Sequence, residues 1–264
     1  MDIVKRNNVK VLGNGSKVIM FAHGFGCDQN MWHFITPSFT DNYKIILFDY
    51  VGSGHSDLSA YNIQKYDSLY GYAQDVIDIC HELNLHNVVF VGHSVSSIIG
   101  TLASLQSPDI FERLIFVSPS PRYINDMNYN GGFSKEDLEG LLEVMSNNYT
   151  GWANLLAPMV MQNSERPSLT KELENSFCTS DPFITRQFAK VTFFSDNRED
   201  LKKIKIPTLI LQCTDDAIAP SNVGAYIHQQ ITGSTLVKMN AKGHCPHMSH
   251  PEETIACIKN FLEQ

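Results

Sequence analysis

What is missing from this chain narrows its chemistry first. There is no basic excess: 20 lysines and arginines stand against 28 aspartates and glutamates, a net charge of -8, which argues against a nucleic-acid-binding surface. There is no apolar run approaching the ~20 residues that span a bilayer, and the opening Met1-Asp2-Ile3-Val4-Lys5 has no signal-peptide pattern. The expectation is a cytoplasmic protein with no membrane partner. The six cysteines, at 27, 80, 178, 213, 245 and 257, include no CxxC pair, so reduced thiols are expected rather than a disulfide framework. No internal repeat and no low-complexity segment is present. With 43% hydrophobic residues, 264 residues suffice for one domain with an insertion around a sizeable core.

What is present is an alternation of short apolar runs with helical patterns. Strands are expected at 18–22, 44–49, 88–91, 113–117, 208–213 and 235–239, and helices at 72–83, 95–106, 223–230 and 252–262. This order implies a mostly parallel sheet with helices on both faces. The alternation breaks once, between Pro121 and about Asp196, where four helical segments follow one another at roughly 134–147, 149–161, 168–178 and 182–194. The division expected is a core of residues 1–121 and 197–264 with an inserted four-helix lid at 122–196, and Pro158 is expected to bend or end the second lid helix.

The chemistry concentrates where strands end. Gly92-His93-Ser94-Val95-Ser96 joins the run Val88–Val91 to a helix start, and a tight strand-to-helix turn pushes a serine hydroxyl outward while leaving helix N–H groups free to face negative charge. A serine needs a base, and the base needs an orienting acid. Downstream, Asp215-Asp216 follows one apolar run and Gly243-His244 follows another, giving the order Ser, Asp, His, each beyond a strand. Only one of the two adjacent aspartates can face the histidine. Of the three histidines at 244, 247 and 250, His244 stands after a glycine suited to a delivering loop; His247 and His250 read as loop or helix-start residues. No second ligand group with zinc-like spacing accompanies them, so neither a metal nor a cofactor is expected. The loop His23-Gly24-Phe25-Gly26 follows the run Val18–Ala22, and the N–H groups of Phe25 and Val95 are the expected oxyanion donors. The lid segment is dense in Phe133, Trp152, Leu156, Phe193 and Phe194, which would make a cavity above Ser94 apolar, dry and selective for a small hydrophobic ligand.

The strings GFGCDQ (24–29), ILFDYVGSGHSDL (46–58), GYAQDV (71–76), RQFAK (186–190), FFSD (193–196), LILQC (209–213) and GHCPHMSHP (243–251) carry a more specific resemblance. Over essentially its full length the chain resembles the RsbQ-like α/β-hydrolases, bacterial regulators of the energy-stress branch of sigma-B signalling. The same branch holds the plant karrikin and strigolactone receptors. The resemblance implies an α/β-hydrolase fold with Ser94 as nucleophile, His244 as base and Asp216 rather than Asp215 as orienting acid. It also implies a pocket of Phe25, Phe133, Trp152, Leu156, Phe193 and Ile218. The implied partners are a small hydrophobic ester or lactone and an RsbP-like PAS-domain phosphatase of the PP2C type. The sequence departs from the RsbQ-like pattern at Ser96, where glycine is usual, and at His23, where proline is usual; both changes resemble the plant receptors.

Overall fold

Runs such as Val88-Val89-Phe90-Val91 are apolar on both alternating faces, which suits strands covered from both sides. The computed structural model describes residues 2–264. Its strands are β1 (Lys10–Leu12), β2 (Lys17–Ala22), β3 (Tyr43–Leu47), β4 (Val88–His93), β5 (Phe111–Val117), β6 (Thr208–Asp215) and β7 (Thr235–Lys242). They form one sheet in the order β1-β3-β2-β4-β5-β6-β7, every pairing parallel except β1 with β3. The helices are α1 (Ile3–Arg6), α2 (Leu69–Glu82), α3 (Val95–Gln106), α4 (Lys135–Asn147), α5 (Tyr149–Met161), α6 (Pro167–Thr179), α7 (Pro182–Phe194), α8 (Arg198–Leu201), α9 (Ser221–Gln230), α10 (Pro246–Ser249) and α11 (Pro251–Leu262).

The period of two along each strand sorts side chains between two cores. Met20, Phe90, Leu114, Phe116 and Ile210 pack on α2, α3 and α9, whereas Ile19, Phe21, Val91, Ile115, Val117 and Leu211 pack beneath α11 and the inserted helices. The insertion α4–α7 falls between β5 and β6. Local signals start its helices. Ser134 and Asp137 make a reciprocal capping box on α4, the Asn148 side chain accepts from Gly151 N on α5, and Asp181 accepts from Ile184 N on α7.

Three expectations need adjustment. β1 lies outside the expected strands: it is a three-residue edge strand, exposed along its length, with no apolar run to announce it. Pro158 does not end α5, which continues to Met161 and stops where Gln162 turns left-handed. The proline lies on the exposed side, as does Asn154, whose carbonyl loses its i+4 donor there. β6 and β7 run two and three residues further than their apolar runs, into the loops that carry Asp216 and His244. No helix among the described residues is long and apolar enough to cross a membrane.

Candidate active site

Parallel strands deliver their C-terminal ends to one edge of the sheet, and the candidate residues collect there. Ser94 follows β4 directly with φ 55° and ψ -122°, a strained backbone that persists only where its surroundings hold it. Its N–H donates to Val117 O at 2.8 Å, fixing the turn to the end of β5. Gly92 is needed for the approach of α3, since a Cβ there would lie 2.6 Å from the Ser96 carbonyl.

Ser94 Oγ lies 2.7 Å from His244 Nε2, and His244 Nδ1 lies 2.8 Å from Asp216 Oδ2. The other Asp216 oxygen accepts from Ile218 N at 2.8 Å and Ala219 N at 3.0 Å, so the turn after β6 orients the carboxylate. Asp215 ends β6 in register with Lys242 and is exposed. The structure thus brings Ser94, His244 and Asp216 together and leaves Asp215 outside. Gly243 has φ +80°, and a Cβ there would stand 2.1 Å from Met161 O, while His244 N donates to Val160 O at 2.8 Å. The end of α5 therefore holds the backbone of His244 in place.

Proton accounting fixes the directions. A carboxylate only accepts, so His244 Nδ1 carries the hydrogen and Nε2 accepts from Ser94. The Tyr123 hydroxyl, 3.1 Å from Ser94 Oγ, is then the donor to that oxygen. Burial pushes the Tyr123 hydroxyl well above its ordinary pKa, keeping it a donor. Nothing in the sequence around Pro121-Arg122-Tyr123 singled this tyrosine out. The N–H groups of Phe25 and Val95 have no protein acceptor among the described residues.

Above Ser94 is a narrow cavity with about 430 Å³ of space between atoms, part of it open to solvent, of which only a small part is wide enough for a water molecule. Of the six residues named for a pocket, Phe25, Leu156, Phe193 and Ile218 line this cavity, joined by Val160, Leu173, Phe177, Thr192 and Tyr123. Trp152 and Phe133 fall outside that lining. Trp152 is fully buried behind it, its ring 5.9 Å from Phe25 and 5.3 Å from Phe177. Phe133 is half-buried, its backbone paired with Tyr123 and Asn125. The resemblance places both in the pocket; Phe133 precedes α4, and the helical position of Trp152 on α5 does not say how deep it lies.

Beneath the site, His93, Cys245 and His247 converge although His93 is some 150 residues away in sequence, a grouping that spacing alone missed. His93 Nε2 donates to His244 O at 2.8 Å, while His93 Nδ1 and both His247 ring nitrogens have no hydrogen-bond partner among the described residues, and burial holds the Cys245 thiol well above its usual pKa. Burial also lowers His247 to about 3; its ring lies 4.4 Å from that of Trp32.

Residues 19–256 match the Alpha/beta hydrolase family. The chain belongs to that family. Among curated relatives, this hydrolase is 39% identical to the Karrikin insensitive 2 receptor CA of Petunia hybrida over 99% of its length and 98% of the relative's. It is 33% identical to Strigolactone esterase D14 of Arabidopsis thaliana, covering 99% and 98%. A solved hydrolase from Oleispira antarctica superposes with a TM-score of 0.97 at 46% identity, over 100% of this chain and 97% of that one. Hydrolase membership and a place beside the karrikin and strigolactone receptors follow from these likenesses. None of them bears the RsbQ name.

Proposed function

We propose that this protein is a signalling serine hydrolase that cleaves or senses a small hydrophobic ester or lactone. The observation that carries the reading is the unbroken line from Asp216 through His244 to Ser94, at 2.8 and 2.7 Å, facing a narrow apolar cavity. Ser94 Oγ attacks the carbonyl carbon as His244 Nε2 takes its proton; Asp216 supports the imidazolium; the free N–H groups of Phe25 and Val95 receive the oxyanion. The alcohol leaves with the proton from His244, and water repeats the sequence on the acyl-enzyme. Tyr123 gives up its bond to Ser94 Oγ as that oxygen becomes bonded to carbon.

Incubation with a serine-directed phosphonate tests the assignment. One adduct is expected at Ser94, none in Ser94→Ala, and an active protein that stays unlabelled removes the reading. The narrow cavity and the receptor-named relatives favour a second form, a karrikin- or strigolactone-receptor-like sensor with little turnover. Ligand binding and output unaffected by Ser94→Ala would select that form, whereas fast turnover with no protein partner would select a metabolic carboxylesterase. For the biological output, the shared strings support the RsbQ-like role of positively regulating an RsbP-like PAS-domain PP2C phosphatase in the sigma-B energy-stress response. Complementation of a strain lacking its own RsbQ-like protein is expected with the wild type and not with Ser94→Ala.

A further inference from the structure

We propose that Ser96, which stands where the GxSxG pattern has its second glycine, is a positioning residue that sets the spacing of the two oxyanion donors. The inference rests on the hydrolase reading above, because it concerns the geometry in which that reaction runs.

The Ser96 hydroxyl lies 2.5 Å from His23 O and 2.9 Å from the Tyr50 hydroxyl. A carbonyl can only accept, so the single Ser96 proton goes to His23 O and the Tyr50 hydroxyl donates to Ser96. A serine in the first turns of a helix ordinarily satisfies its hydroxyl on nearby backbone, and the neighbouring Ser97 does so, donating to Gly92 O at 2.9 Å. Ser96 instead reaches a loop 73 residues away. The two segments it joins are the ones that carry the donors: Val95 precedes Ser96 on α3, and Phe25 follows His23 by two residues on the loop after β2.

The rest of the loop is held to match. Tyr50 N donates to His23 Nε2 at 3.2 Å and His23 Nδ1 donates to Gly24 O at 2.8 Å, so His23 sits as one neutral tautomer with both nitrogens satisfied. Gly24 O also accepts from Cys27 N at 3.2 Å, and a Cβ on Gly24 would lie 2.4 Å from His93 Nδ1. His23, Tyr50 and Ser96 are all fully buried. The Ser96 bond is the direct side-chain tie from this loop to the nucleophile helix. Removing it frees the backbone of the loop to shift relative to Val95, while the Phe25 ring in the cavity wall is still held by Trp152, Phe188 and Phe193.

Oxyanion donors act on charge that develops only in the transition state, so their misplacement lowers turnover more than binding. Ser96→Ala and Ser96→Gly are expected to lower kcat on p-nitrophenyl acetate by roughly 10- to 100-fold, the scale set by sub-ångström to ångström misplacement. KM should stay within about twofold, and affinity for an alkyl boronic acid should fall in parallel with kcat. Rates are taken per active site titrated with phosphonate, so partial unfolding does not enter. Tyr50→Phe keeps the Ser96 bond to His23 and should stay within about threefold of wild-type kcat.

The proposal is overturned if both Ser96 variants keep wild-type kcat, if the loss is in KM instead, or if Tyr50→Phe loses as much as Ser96→Ala. Hydrogen exchange at the Cys27 amide provides a readout that needs no catalysis: it is expected to speed at least tenfold in Ser96→Ala, and unchanged exchange overturns the clamp. A wild type that neither labels nor turns over, with exchange still faster in Ser96→Ala, removes the hydrolase reading and leaves the mechanical tie standing.

Discussion

Replacing Asp216 by asparagine discriminates the candidate site from its nearest alternative, because Asp215 is adjacent and differs in every relevant respect. Asp216 accepts three hydrogen bonds, from Ile218 N and Ala219 N on one oxygen and from His244 Nδ1 on the other. An asparagine can keep the first two with its carbonyl oxygen, so the fold of the turn survives and its NH2 then faces His244 Nδ1. Two donors cannot share that contact. The imidazole responds by moving its proton to Nε2 and accepting at Nδ1, which aims an N–H at Ser94 Oγ and leaves the hydroxyl without a base.

The expected loss in kcat is about 10⁴, or ~5 kcal/mol of transition-state stabilisation. KM should change little, because Asp216 is not part of the cavity lining. Asp215→Asn alters an exposed side chain at the end of β6 and should stay near wild type in turnover and within about 0.5 kcal/mol in stability. Initial rates on an aryl acetate, normalised to phosphonate-titratable sites, measure both variants. Asp216→Asn retaining more than a tenth of wild-type kcat, or an inactive Asp215→Asn, would refute the assignment.

Gly243→Ala should lower both stability and turnover, because a Cβ there meets Met161 O at 2.1 Å with the backbone at φ +80°; a loss of about 2 kcal/mol or more is expected by denaturant titration. Phe193→Ala should shift chain-length preference among p-nitrophenyl esters towards longer acyl groups. Trp152→Ala should act mainly on stability, costing about 3–5 kcal/mol, since the indole is buried behind the lining. Stability should fall with acid below pH ~6.5. Burial lowers His247 to about 3, so the unfolded chain takes up a proton there that the folded one refuses. The loss from this group is fully absent above the unfolded pKa and grows to about 1.4 kcal/mol by pH 5.5. Burial lowers His93 and His23 in the same direction. The difference in Tm between pH 7.5 and 5.5 should therefore shrink in His247→Phe, which keeps an aromatic ring against Trp32.

The parts of the molecule that sequence disclosed are those whose cause is local. Short apolar runs bounded by turns, such as Val88–Val91, read as strands, and α4–α7 announce themselves through their helical pattern, their starts being set by the local caps Ser134, Asn148 and Asp181 in three of the four. Ser94 and His244 were legible because a strand end followed by a glycine-bearing turn is a local device. Asp216 against Asp215 was not decided by the residues themselves, since it depends on which carboxylate the turn to Ala219 captures. Tyr123, the depth of Trp152 and the convergence of His93 on Cys245 and His247 are settled by chain segments that meet only after folding.

Ser96 shows how a local departure acquires meaning from such a meeting. In sequence it is a small residue replacing glycine, compatible with the turn. In the fold its hydroxyl crosses to His23, the other position that departs from the RsbQ-like pattern, whose own ring is satisfied by Tyr50 and Gly24. The carbonyl that Ser96 engages belongs to the backbone of residue 23, so the tie does not itself demand a histidine there. It does demand that the loop hold that carbonyl towards α3, and the two hydrogen bonds of the His23 ring restrict the loop to an orientation that does so. The two departures are therefore mechanically linked: His23→Pro keeps the residue-23 carbonyl but removes both ring contacts that hold it towards Ser96.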